Sequence, residues 1–282
     1  MLLKEYKDHF ITALTPDYGL DEASSFFYLV LHHLHQLQRI DLVLQPNFQL
    51  SNEEIVVWNG FLEQLLSHHP IQYLIGATSF YGLSFHVTPS VLIPRPETEE
   101  LVAWILQNHA AKPPISLLDI GTGSGCIAIS LAHHLSNTQV YAMDISSKAL
   151  EIATSNAALN QVEVTFLEQD ILKIENLGNQ FDVLVSNPPY VRELEKQEIK
   201  PNVLEHEPHL ALFVSDENPL LFYRKIAEIA LRSLTPEGKL YFEINQYLGA
   251  ETVSLLQELG FKNIHLKKDF MGNDRMIQAS LR

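Results

Sequence analysis

Leu117-Leu118-Asp119-Ile120-Gly121-Thr122-Gly123-Ser124-Gly125 is the stretch that decides the fold. A short apolar run of strand character enters a turn with three glycines at alternate positions, and an apolar helical segment follows from about residue 128. Strand, glycine turn and helix in that order open a βαβ unit. Glycines let the backbone pass close to a ligand with no Cβ in the way, and the helix start supplies free N–H groups. Each glycine adds to the entropy lost on folding, so a bound ligand accounts for three of them better than a tight connection alone.

The alternation continues outward. Strands are expected at 115–120, 140–144, 164–167, 181–186 and 239–244, with helices at 128–135, 148–159 and 218–234. The segments 264–266 and 276–281 read as closing strands, the last pair antiparallel. The fold class predicted is α/β, a doubly wound, Rossmann-like sheet. Upstream the period changes. Leu2, Leu3, Tyr6, Phe10 and Leu14 recur at helical spacing, and Ser51 with Glu54 has the spacing of a capping box before Ile55, Trp58, Phe61 and Leu62. Between the two regions Phe80, Tyr81, Phe85 and Val87 flank Gly82 as in a hairpin. The expected organisation is a small helical bundle at 1–75, a hairpin linker at 76–92 and an α/β domain at 93–282.

Bulk properties exclude several classes. With 282 residues, 46% hydrophobic and 19% charged, the chain has material for a sizeable core. A formal net charge of -15 argues against an unaided nucleic-acid binder, since phosphate contacts need clustered Lys and Arg. The single cysteine, Cys126, rules out a disulfide framework and fits a reducing compartment. The N-terminal residues lack the uninterrupted apolar core of a signal peptide, so a cytoplasmic location is expected. Histidines 32, 33 and 35 lack the i,i+4 pairing of a helical metal site, and Pro208 breaks the helix that His206-Glu207-Pro208-His209 would need; no metal is expected.

A second stretch, Phe181-Asp182-Val183-Leu184-Val185-Ser186-Asn187-Pro188-Pro189-Tyr190, speaks to chemistry. Consecutive prolines lack ladder donors, so the strand stops at Asn187 and leaves an amide and turn carbonyls at its carboxyl end. Ligands bind at that edge of an open α/β sheet, and the turn suits a planar amide or amidine nitrogen. Asp119, Asp144 and Asp170 fall at the ends of successive strands, where Asp144 can accept from ribose hydroxyls. A dinucleotide site would place its third glycine at position 126, which is Cys126. The observed G-x-G-x-G resembles instead the cofactor loop of S-adenosylmethionine methyltransferases. Arg95, held between Pro94 and Pro96, is either a site residue or a tie to Glu97, Glu99 and Glu100 at the next helix start.

Asn187-Pro188-Pro189-Tyr190 resembles the signature of methyltransferases acting on nitrogens conjugated to a planar system: adenine N6, cytosine N4 or glutamine N5. Pro70-Ile71-Gln72-Tyr73-Leu74, Phe80-Tyr81-Gly82-Leu83, Ile93-Pro94-Arg95-Pro96-Glu97-Thr98-Glu99 and Glu207-Pro208-His209-Leu210-Ala211-Leu212 are similar to one branch, the release factor glutamine N5-methyltransferases, or HemK family. The resemblance implies methylation of the glutamine in the Gly-Gly-Gln loop of class 1 peptide chain release factors, with S-adenosylmethionine as donor. It implies that Gly121, Thr122, Gly123, Ser124, Gly125, Asp144, Asp170, Ile171 and Asn187 line the cofactor. Asn187, Pro188, Pro189 and Tyr190 would hold the glutamine, with Asn187, Pro188 and Tyr190 carrying catalysis. In that role the Asn187 oxygen and the Pro188 carbonyl accept the two amide hydrogens, and Tyr190 packs on the amide face. The helical domain is the expected docking surface for the release factor. Ile171 stands where relatives can carry an aromatic ring. Alternatives are a glutamine methyltransferase of a large-subunit ribosomal protein, an adenine-N6 methyltransferase of nucleic acid, and a non-catalytic binding module.

Overall fold

The structure, a computed structural model, describes residues 1–109 and 115–282. Its contacts divide the described residues into two compact units: Met1–Gly76 with Pro201–His206, and Ala77–Lys200 with Glu207–Arg282.

The first unit is the expected bundle. Helix α1 (Leu3–His35) is broken at Gly19, whose φ of 77° no helix accommodates. The short α2 (Asp41–Leu44), then α3 (Asn52–Leu66) and α4 (Ile71–Ile75) follow. The capping box forms: the Ser51 hydroxyl accepts the Glu54 amide at 3.2 Å, and the Glu54 carboxylate accepts the Ser51 amide at 2.7 Å. Buried Tyr6, Phe10, Phe27 and Trp58 form the core, with the Phe27 ring stacked on Trp58 at 5.1 Å.

The second unit begins with β1 (Ala77–Phe80) and β2 (Leu83–His86), then α5 (Pro96–His109). Alternation runs through β3 (Ser116–Ile120), α6 (Cys126–His134), β4 (Gln139–Asp144), α7 (Ser147–Leu159), β5 (Thr165–Glu168) and β6 (Phe181–Ser186). After β7 (Val191–Arg192) comes α8 (Pro201–His206), which packs with the helical unit. The chain then returns through α9 (His209–Leu212), β8 (Phe213–Val214), α10 (Leu221–Ser233), β9 (Leu234–Glu243), α11 (Gly249–Glu258), β10 (Lys262–Lys268) and β11 (Asp274–Ser280).

Seven strands form one sheet in the order β10-β11-β9-β6-β3-β4-β5. The pairs from β9 to β5 are parallel, and β11 runs antiparallel to both its neighbours. Side chains alternate between two layers, as a sheet covered on both faces requires. Leu117, Val183, Val185 and Tyr241 pack in one layer with α5 and α6; Leu118, Leu184, Leu240 and Phe242 pack in the other with α10 and α11. The hairpin expected as a linker buries Phe80 and Phe85 in the first of these layers, so it is part of the wall of the α/β unit. Buried Asn156 fastens it there, accepting from the His86 amide at 2.6 Å and donating to the His86 and Ser124 carbonyls at 3.0 and 2.9 Å. Strand β9 begins at Leu234, earlier than the expected 239, and a register shift on β6 between Phe181 and Val183 accommodates the extra length.

Candidate functional site

From β3 the chain winds to β4 and β5 on one side, then to β6 and β9 on the other. The switch point therefore lies between β3 and β6, at whose carboxyl ends such a sheet leaves a crevice. Both motif turns sit there. Ile120 and Ser186 are register partners, and the Ser186 hydroxyl donates to the Ile120 carbonyl at 2.6 Å, tying the two turns together.

The glycine turn is shaped by its backbone. Gly121, Gly123 and Gly125 have φ of 74°, 54° and 82°. At Gly125 a Cβ would also meet the Ile129 side chain at 2.7 Å and Ala153 at 3.2 Å, so helices α6 and α7 close over it. The amides of Gly121 and Thr122 donate to the Met143 carbonyl at 2.9 and 3.0 Å. The Asp144 carboxylate accepts the Gly123 amide through one oxygen and the Ser146 amide through the other, each at 2.9 Å. Asp144 thus holds the turn's outline as well as facing the crevice. Below it, fully buried Asp119 accepts the Thr122 hydroxyl at 2.7 Å, and burial pushes its carboxyl up to about 7. Burial, reinforced by Asp119, pushes the Cys126 thiol up to about 12, which keeps it an inert packing residue.

A cavity of about 380 Å³ opens along this edge, within the size range of small-molecule sites. Gly121, Thr122, Gly123, Ser124, Asp144, Asp170, Ile171, Asn187, Pro188 and Pro189 all line it. Gly125 and Tyr190 do not: Gly125 lies beneath the helices that pack over it, and the Tyr190 hydroxyl is drawn to the Glu243 carboxylate at 3.0 Å. Tyr190 is thereby tethered, beside the turn, to the end of β9. Burial, with Glu243 adding to it, keeps this phenol protonated.

Arg95 has a different partner from the acidic helix start. Its guanidinium donates to Glu207 Oε1 at 2.6 Å, and Glu207 Oε2 accepts the Ile93 amide at 3.3 Å. Arg95 also lines the cavity, while the Glu207 side chain is almost wholly buried. Two further wall segments had no sequence signal, Ser90–Val91 and Phe222, while Leu210 and Ala211, from a stretch that carries the family resemblance, also line the cavity. From the cavity wall a chain runs inward: Asn187 Nδ2 donates to the hydroxyl of Thr98, which also lines the cavity, at 3.4 Å, and Thr98 donates to buried Glu243 Oε2 at 2.6 Å. Among the described residues, no group of three or more His, Cys, Asp or Glu is arranged to hold a metal ion. No described helix is long and apolar enough to cross a membrane.

A glycine-turned crevice beside an amide-proline turn, on a sheet whose penultimate edge strand alone reverses direction against its parallel neighbours, is the architecture of Rossmann-like methyltransferases. Residues 99–210 match the family model described as methyltransferase small domain, and 10–76 match the PrmC N-terminal domain. The chain belongs to the release factor glutamine methyltransferase family. It is 55% identical to the release factor glutamine methyltransferase of Flavobacterium psychrophilum over all of both chains. With that of Bacteroides thetaiotaomicron the identity is 43%, covering 93% of this chain and 94% of the other. A methyltransferase structure from Pyrococcus furiosus shares the fold, with a TM-score of 0.53 at 20% identity over 72% of this chain and 91% of that one.

Proposed function

We propose that this enzyme transfers a methyl group from S-adenosylmethionine to the side-chain amide nitrogen of the glutamine in the Gly-Gly-Gln loop of class 1 peptide chain release factors. The observation that carries the reading is one cavity lined by both the glycine turn with Asp144 and the Asn187–Pro189 turn. Relatives of similar length bearing the name release factor glutamine methyltransferase support the choice of substrate.

The residues present fit the cofactor. The volume is adequate, the left-handed glycines keep Cβ atoms out of the ligand's path, and Asp144 supplies a carboxylate acceptor for hydroxyls. Gly121 to Ser124, Asp144, Asp170 and Ile171 would hold it. When bound, it supplies a methyl group already activated on a sulfonium.

An amide nitrogen is a weak nucleophile because its lone pair is shared with the carbonyl. The protein's task is to fix it, and acceptors serve that better than a strong base. Asn187 Oδ1 would accept one N–H and the Pro188 carbonyl the other. Both bonds strengthen as positive charge grows on nitrogen, which stabilises the transition state selectively. Holding nitrogen and methyl in line supplies up to roughly 7–11 kcal/mol in the best intramolecular cases. The apolar walls from Ile171, Pro188, Pro189 and Phe222 exclude water from the reacting groups. A loop tip alone offers little contact area, so the helical unit is the proposed docking surface for the rest of the substrate.

The test is incubation with methyl-labelled cofactor and purified release factors. Label should appear on the wild-type release factor and disappear when its loop glutamine is replaced by alanine. Equal labelling of both would overturn the assignment.

A further inference from the structure

The hydrogen-bond chain behind Asn187 fixes something that the turn alone does not: which end of its amide faces the cavity. A carboxamide has an acceptor end and a donor end of nearly the same shape, and only neighbours decide between them. Glu243 stands at the end of β9 and is 1% exposed. Its Oε2 receives the Thr98 hydroxyl at 2.6 Å and its Oε1 receives the Tyr190 hydroxyl at 3.0 Å. A hydroxyl has one proton. Once Thr98 has given its proton to the carboxylate, it faces Asn187 with lone pairs only, and these meet Nδ2 at 3.4 Å. Asn187 is left with Oδ1 to present to the cavity it lines.

We propose that Thr98 and Glu243 are positioning residues that hold the Asn187 carboxamide with its oxygen toward the incoming glutamine. The inference rests on the function proposed above. An incoming glutamine nitrogen brings two N–H donors and needs acceptors. With the amide reversed, Asn187 would offer an N–H, which repels a glutamine nitrogen and suits a carboxylate. The chain from Glu243 therefore also discriminates glutamine from glutamate at the loop tip. Because the same carboxylate holds Tyr190 directly and Asn187 through Thr98, it braces both ends of the turn. Burial raises the Glu243 carboxyl above its ordinary value, and Thr98, Arg275 and Tyr190 offset part of that rise; the Arg275 guanidinium lies 3.5 Å from the Tyr190 hydroxyl and donates to the Ile244 carbonyl at 3.3 Å and to Asp269 at 3.1 Å.

The experiment compares wild type, Thr98→Val and Thr98→Ser in steady-state methylation of a release factor, with competition by the same release factor carrying glutamate for the loop glutamine. Thr98→Val keeps the shape but neither donates nor accepts. Its kcat is expected to fall roughly 10- to 100-fold with KM for the release factor changed by less than about 3-fold, as for a small misplacement at the reacting centre. The glutamate competitor should inhibit it more strongly than it inhibits wild type. Thr98→Ser, which keeps the hydroxyl, should retain kcat within about 3-fold. Unchanged kcat in Thr98→Val, or an equal loss in Thr98→Ser, would overturn the inference. If Thr98→Val does not fold, Thr98→Ala against Thr98→Ser gives the same comparison. Wild type that labels no release factor would instead bring down the proposed function, so the two failures are distinct.

Discussion

Asp119 lies just ahead of the glycine turn with no exposed surface, and burial is the main cause of its raised carboxyl pKa of about 7; the Thr122 hydroxyl offsets part of the rise. The ordinary value is 3.8, so between about pH 4 and 7 the folded chain holds a proton that the unfolded chain has released. This group's contribution to stability is full below the lower value and is lost as pH rises through the upper one. Asp119→Asn can still accept from Thr122 but has no charge to bury. Its stability relative to wild type should therefore rise between about pH 5 and pH 8, read from urea unfolding at each pH. A constant difference would contradict this. The residues legible in the sequence were those whose role is local. Asn187, Pro188 and the alternate glycines announce a turn because proline and glycine restrict or free their own backbone. Glu243 gave no such signal: it meets Thr98 across 145 positions of chain, and only the sheet order brings them together. The partner of the Tyr190 hydroxyl was hidden for the same reason, because the carboxylate that accepts from it comes from that distant strand.

The turn between β3 and α6 is the element on which cofactor binding depends, and Gly125 is its tightest point. Its φ of 82° disfavours any side chain, and an added Cβ would lie 2.7 Å from Ile129. Gly125→Ala should cost about 1–2 kcal/mol from the left-handed backbone, with the steric conflict adding to that. The turn should shift with it, so calorimetric affinity for S-adenosylmethionine should fall together with the denaturation midpoint. Full affinity with a lowered midpoint would show that the turn's shape does not govern the cofactor. Periodicity made the central elements legible, because buried parallel strands and amphipathic helices have different apolar repeats. The hairpin was legible as a hairpin but not in its attachment. Phe80 and Phe85 signal burial without saying where, and Asn156, which fastens the strands, lies 70 residues beyond His86.

At the scale of the whole molecule, α8 packs with helices that precede it by more than a hundred residues. No local pattern separates those six residues from their neighbours. The formal net charge of -15 bears on how a partner is met. If the acidic surface steers a basic release-factor loop, kcat/KM should fall as salt rises toward a Debye length of about 8 Å, while kcat holds. Salt-independent kcat/KM would show that electrostatic steering plays no part in the encounter. Whether the Asn187 turn grips the reacting amide is read from single-turnover methyl transfer from labelled S-adenosylmethionine to a release factor by Asn187→Ala. The variant should fold, and with cofactor saturating its transfer should be reduced by roughly 100-fold or more. Transfer at a near-wild-type rate would contradict that grip.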